Sequence, residues 1–150
     1  MRYLVLVFCF LVSVAVPAQA EDAETSVRAV NQAFESAWSA RNIAAIEKLW
    51  SHAPYVFVVH PSSKAPELGW ENVEKSFQTQ MSRYSEFNVA MTERSIHVDG
   101  NMAVIVGLES FTGKRLNGET AQGSAIGTRG FEKKGDQWLM IFHQATAIRQ

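Results

Sequence analysis

The chain has one cysteine, Cys9, and it sits inside an apolar run near the start. Residues 21–150 contain none. A disulfide scaffold, cysteine-ligated zinc and thiol chemistry are therefore excluded for that stretch. An excess of charge of either sign is also lacking. Fourteen Lys and Arg face fifteen Asp and Glu, a formal net charge of −1. A nucleic-acid binder needs a basic face to meet phosphates, so no nucleic-acid partner is expected. Proline occurs only 4 times and glycine 9 times, which excludes collagen-like and low-complexity chains. No Gly-rich phosphate loop lies between a strand and a helix, and no Gly-x-Ser-x-Gly elbow occurs. His52, His60, His97 and His143 show no paired spacing such as His-x-x-x-His. Neither a metal nor a cofactor is expected.

What remains is ordinary globular composition, 47% hydrophobic and 19% charged, over a length that suits one domain. The first twenty residues differ from the rest. Arg2 is the only charge before Glu21, Leu4 to Val16 is an apolar run broken by Ser13, and Pro17-Ala18-Gln19-Ala20 follows. A positive start, a short apolar core and a small-x-small end make a secretory signal peptide, with cleavage expected after Ala20. The run is too short for a membrane span, which needs about 20 apolar residues. The expected mature protein, residues 21–150, is periplasmic or secreted and leaves the membrane on cleavage. Without Arg2, 13 basic residues face 15 acidic ones, a net charge of −2.

Beyond the leader, helices come first and strands after. Val27, Val30, Phe34, Ala37 and Trp38 recur at three and four, which predicts a helix over 23–40, capped by Asp22 or Thr25. Asn42 is a good N-cap for a second helix carrying Ile43, Ile46, Leu49 and Trp50, stopped by Pro54. Tyr55 to His60 reads as a buried strand ended by Pro61, and residues 61–68 as a polar loop. Trp70, Val73, Phe77, Met81 and Tyr84 predict a third helix over 70–84. The period then changes to two. Strands are expected over 87–98, 102–111, 120–133 and 137–148, with hairpin turns at Asp99-Gly100, Asn117-Gly118 and Lys134-Gly135-Asp136. Eight of the nine glycines lie at or after Gly100, and Gly123, Gly127 and Gly130 suggest bends in a curved strand. The expected fold class is α+β, in the order α-α-β-α-β-β-β-β, with three helices on a mainly antiparallel sheet.

This order resembles the nuclear transport factor 2-like superfamily, in its SnoaL-like and ketosteroid-isomerase-like branch. Phe34 to Trp38 with Arg41 to Ile46 resembles the first two helices and their turn. Gly69-Trp70-Glu71-Asn72-Val73 resembles the start of the third helix. Thr128 to Gly135 with Trp138 to His143 resembles the final hairpin. The resemblance spans about residues 24–148 and implies a cone of curved sheet and helices around an apolar pocket. It also implies pairing of two copies through the outer sheet face. Its members include isomerases, cyclases, dehydratases, ligand binders and dimerisation modules, so function has to be read from individual residues.

His60 resembles the position where the isomerase branch places its base, just before a proline at the end of the first strand. A histidine there suits general-base work near neutral pH; the competing reading is a strand-end histidine bonded to the loop. That branch also needs a tyrosine on the first helix and a protonated acid on a later strand. Phe34 and Thr128 stand at those positions, so ketosteroid isomerase activity itself is not expected. Glu109 is the candidate partner of His60. Facing inward it would be a desolvated acid with a raised pKa; outward, the preferred reading, it is a solvated sheet residue. Arg129 could anchor an anionic group or pair with Glu109, and an ordinary surface ion pair is the preferred reading. His143 is read as a hydrogen-bonded sheet histidine at a position that faces the pocket in the family. Candidate pocket residues are Phe34, Trp38, Trp70, Phe77, Thr128, Arg129 and His143. The function expected first is binding of a small, largely apolar molecule in the cone. One alternative is a cofactor-independent lyase or isomerase using His60 and Glu109. The other is a homodimerisation module, with Val104, Val106 and Leu108 forming an apolar outer patch.

Overall fold

A computed structural model describes the backbone of residues 17–148 and side chains from Asp22 onward. The leader expected over residues 1–20 therefore falls, through residue 16, outside the described residues, and the side chain of Ala20 is not among them. Helix α1 runs Pro17–Ser39, α2 Ile43–Leu49 and α3 Trp70–Met81. The strands are β1 Phe57–Val59, β2 Glu67–Leu68, β3 Tyr84–Asp99, β4 Met102–Arg115, β5 Thr120–Lys134 and β6 Gln137–Ala147. Among the described residues no helix is long and apolar enough to cross a membrane.

Local chemistry accounts for most of these boundaries. Val27, Phe34, Ala37 and Trp38 on α1 are all buried, as their spacing requires. The expected cap at Asp22 or Thr25 is not used, because α1 already runs from Pro17. The Asn42 side chain accepts from the Ala45 N–H at 3.1 Å and caps α2. That helix stops at Leu49 rather than at Pro54. Trp50 leaves it in an extended conformation and bridges in parallel to Met140 of β6. Helix α3 likewise ends at Met81, and Tyr84 opens β3 instead of closing the helix.

The six strands form one sheet in the order β2-β1-β6-β5-β4-β3. Strands β3 to β6 are an antiparallel meander. Its first two turns fall at Asp99-Gly100 and Asn117-Gly118, where Gly100 and Gly118 take positive φ of 56° and 88°. Strand β1 joins β6 in parallel, Val58 beside His143 and Val59 beside Gln144. The stretch 61–68 is not all loop: β2 pairs antiparallel with β1, Phe57 opposite Leu68.

The three helices cover one face of this sheet. Phe34, Phe77, Trp50, Ile46, Ile105, Phe131 and Met140 are fully buried between the layers. Burying a side chain of this size contributes roughly 1.5–3 kcal/mol. On β4 the inward set is Ala103, Ile105, Gly107 and Glu109, all buried. The outward set is Val104, Val106 and Leu108, half-buried or exposed. Leu108 pairs with Ile126, which is 51% exposed, so the outer face does carry an apolar strip.

Candidate active site

The long inner strands and α1 bring four ionisable side chains into the interior. Glu109 on β4 lies opposite Ala125 on β5, Arg129 on β5 lies opposite His143 on β6, and Glu35 projects from α1. Glu109 is 7% exposed, and Arg129 and His143 are fully buried. This corrects the outward reading of Glu109 and the surface pairing of Arg129. The inward face of the sheet is where both point, and they meet there instead of in solvent.

Arg129 is the centre of a buried network. Its Nε and Nη2 donate to Glu109 Oε1 at 3.1 and 2.6 Å. Its Nη1 donates to Asn31 Oδ1 and to Glu35 Oε1, both at 2.7 Å. The guanidinium also lies over the Phe34 ring, 5.1 Å from its centroid. Gly127 makes room for the acid: a Cβ built there would stand 2.6 Å from Glu109 Cγ and Cδ.

His143 completes the arrangement. Its Nε2 lies 2.9 and 3.1 Å from the two Glu109 carboxylate oxygens. Burial pushes the Glu109 carboxyl up, but His143 and Arg129 outweigh burial and hold it at about 2. The raised pKa expected for an inward Glu109 is thus reversed by its partners. An ionised carboxylate only accepts, so Nε2 carries a proton toward Glu109 and Nδ1 is the ring nitrogen turned away from it. His143 Nδ1 is buried and has no hydrogen-bond partner among the described residues.

A cavity of about 320 Å³ opens beside this pair, at the small end of the range for small-molecule sites. Trp38, His60, Glu109 and His143 line it together. Tyr84, Val89, Phe87, Phe111 and Ala125 supply an apolar wall. The Trp38 ring lies 5.8 Å from His60 and 5.3 Å from His143, and the two histidine rings are 6.1 Å apart. Three nitrogens of these lining residues, Trp38 Nε1, His60 Nε2 and His143 Nδ1, are buried without a partner among the described residues. Trp50 Nε1 is also unpartnered, but Trp50 does not line the cavity. Burial, reinforced by His143 and Arg83 against the opposing pull of Glu109, lowers His60 from its ordinary 6.5 to about 3. The His60 backbone N–H donates to Ser63 Oγ at 2.9 Å, so the loop fixes its main chain and not its ring.

Four of the sequence-predicted residues therefore meet at the cavity: His60, Glu109, His143 and Trp38. Phe34 and Phe77 stand behind it in the core, against Trp38 at 5.3 and 5.1 Å. Arg129 stands behind Glu109. Two further expectations are corrected. Thr128 pairs with Val106 and shares its outward face, so it points away from the pocket. Trp70 stacks on His52 at 4.7 Å, on the far side of Trp50, and takes no part in the lining. Asn31 and Glu35 were missed. Their signal was present: Asn31 falls four residues after Val27 and seven before Trp38, a polar residue at an apolar-stripe position. Among the described residues no group of three or more His, Cys, Asp or Glu is placed to hold a metal ion.

Comparison with known proteins decides the family. A model of the SnoaL-like domain matches residues 27–149. The chain belongs to the SnoaL-like domain family. Solved structures agree on the fold. An NTF2-like superfamily protein from Salmonella enterica serovar Typhimurium LT2 superposes with a TM-score of 0.79 at 18% identity, covering 87% of this chain and 94% of that one. A Streptomyces avermitilis protein of the NTF2-like family, proposed to be a dehydratase, has a TM-score of 0.79 at 19% identity, covering 87% and 99%. A Xanthomonas campestris protein, proposed to be a calcium/calmodulin-dependent protein kinase II association domain, has a TM-score of 0.73 at 24% identity, covering 96% and 99%. No curated protein sequence matches significantly. At these identities the SnoaL-like fold is shared, while the activities those names carry remain with those proteins.

Proposed function

We propose that this SnoaL-like protein is a cofactor-independent enzyme of the lyase or isomerase type, moving a proton on a small, largely apolar carbonyl compound. The observation that carries it is the Glu109-bound His143 on the wall of an apolar cavity. A carboxylate that fixes one imidazole nitrogen in its N–H form leaves the other as a base aimed by its partner. In this reading His143 Nδ1 takes the proton from a carbon beside the carbonyl. The electron pair moves into the carbonyl, and the oxygen that gains charge accepts from Trp38 Nε1–H. The imidazolium then returns the proton to carbon or to a leaving hydroxyl, which departs as water. His60, the candidate base in the sequence, is lowered to about 3 and is too weakly basic for that part. It is assigned to hold the substrate.

Proton–deuterium exchange tests this without knowledge of the natural substrate. The protein is incubated in D₂O with a panel of small alkyl and aryl ketones and β-hydroxy carbonyl compounds, and exchange is followed by NMR. His143→Ala is expected to lower catalysed exchange by roughly 10²–10⁴-fold, the usual share of a general base. Exchange that is unchanged in His143→Ala, or no catalysed exchange across the panel, overturns the enzyme reading. Binding without turnover would then remain, supported by the same cavity.

Export through the leader is part of the proposal and rests on residues 1–20 alone. Expressed with its full sequence in a secreting bacterial host, the protein is expected to begin at Glu21. Sequencing of the N-terminus checks this, and a chain that retains Met1 or Arg2 counts against it.

A further inference from the structure

The cavity does not end at His60. A groove of about 600 Å³ adjoins it, and His60, Ser62 and Gln80 line both. Among the described residues the groove also carries Lys64, Lys75 and Arg83, against one carboxylate, Glu67. Three cations against one anion is a local excess in a chain whose formal net charge is −1. None of the three cations forms an ion pair among the described residues. The Arg83 charge reaches the junction itself, since it helps to lower His60. His60 is 4% exposed and its Nε2 has no hydrogen-bond partner among the described residues. The two compartments thus differ in kind. One is apolar and ends on the Glu109–His143 pair; the other is polar and cationic; a histidine stands between them.

We propose that the ligand is an amphiphilic anion, with its apolar body in the cavity and a carboxylate or phosphate in the Lys64–Lys75–Arg83 groove. This rests on the cavity reading above and adds to it the class of molecule. Glu109 stays remote from the anionic end, because it lines the cavity and not the groove. Each exposed cation contributes little alone, so affinity comes mainly from the apolar body. The groove sets which end enters first and favours acids over neutral analogues.

Two fluorescent probes with the same aromatic body separate these parts. 1-Anilinonaphthalene-8-sulfonate is anionic, and N-phenyl-1-naphthylamine is neutral. Both are titrated against the protein and against the triple variant Lys64→Glu, Lys75→Glu, Arg83→Glu, whose changes are all at exposed positions. The anionic probe is expected to lose about tenfold or more in affinity in the variant. It is also expected to weaken as salt is raised. The neutral probe is expected to bind both proteins equally and to be insensitive to salt. Ser124→Trp, at the exposed rim of the cavity, is expected to weaken both probes. Equal response of the two probes to charge reversal overturns the anion inference and leaves the cavity reading standing. A neutral probe that fails to bind, or that ignores Ser124→Trp, overturns the cavity reading and this inference with it.

Discussion

Arg129→Ala is expected to destabilise the fold by about 3–5 kcal/mol, the cost of stranding the partner of a buried charge. The size follows from what the guanidinium holds. It is fully buried and donates to Glu109, Asn31 and Glu35 at once, and so ties α1 to β4 through β5. Without it the Glu109 carboxylate keeps, among the described residues, His143 alone as a partner, and its pKa rises as burial reasserts itself. Arg129→Lys is expected to recover little, since one ammonium cannot reproduce a planar fork that reaches three acceptors. Urea unfolding followed by tryptophan fluorescence measures both variants. A loss below about 1 kcal/mol would mean that the network is surface-like in its energetics despite its burial.

Acid is expected to weaken the protein through His60. In the unfolded chain this histidine takes a proton as pH falls through 6.5; in the fold it does not until about 3. Between those values the unfolded state binds more protons, so stability falls with pH, by roughly 1.4 kcal/mol per unit. The loss from this group reaches about 3 kcal/mol at pH 4.5. Glu109 acts in the same direction over a lower window. Its folded pKa of about 2 lies below the ordinary 4.5, so its contribution is complete above 4.5 and drains away as pH falls toward 2. His60→Gln is expected to remove most of the decline between pH 7 and 4.5. Urea midpoints of the two proteins at those two pH values check it. An equal decline in both would place the acid sensitivity elsewhere.

Most of the fold could be read from local pattern because most of it is locally determined. The stripe on α1, the Asn42 cap and the hairpin signals at Gly100 and Gly118 each act within a few residues. Strand β2 escaped because Glu67–Leu68 has no pattern of its own and exists only through pairing with β1. The site was half legible. Period two separates Glu109 from Val104, Val106 and Leu108, but it does not say which set faces the helices. Here the more apolar set lies outside, and the inward row of Ala103, Ile105, Gly107 and Glu109 includes the acid. Arg129, opposite Ile105 on the neighbouring strand, faces the same interior and supplies the partner that lets the acid turn inward. Thr128 and Arg129 are neighbours, so a single step of register decided that Arg129 enters the interior and Thr128 does not.

Gly127 ties the fate of two positions together. The space its missing side chain leaves is occupied by Glu109 itself, whose far end Arg129 and His143 hold in place. An alanine there could not be absorbed by a small rotation of the acid, because the acid is pinned at its tip. Along a line of descent, then, the glycine constrains the glutamate's history. A lineage that fills position 127 must first give up the carboxylate at 109, and with it the partner that orients His143. One that keeps the acid inherits the gap.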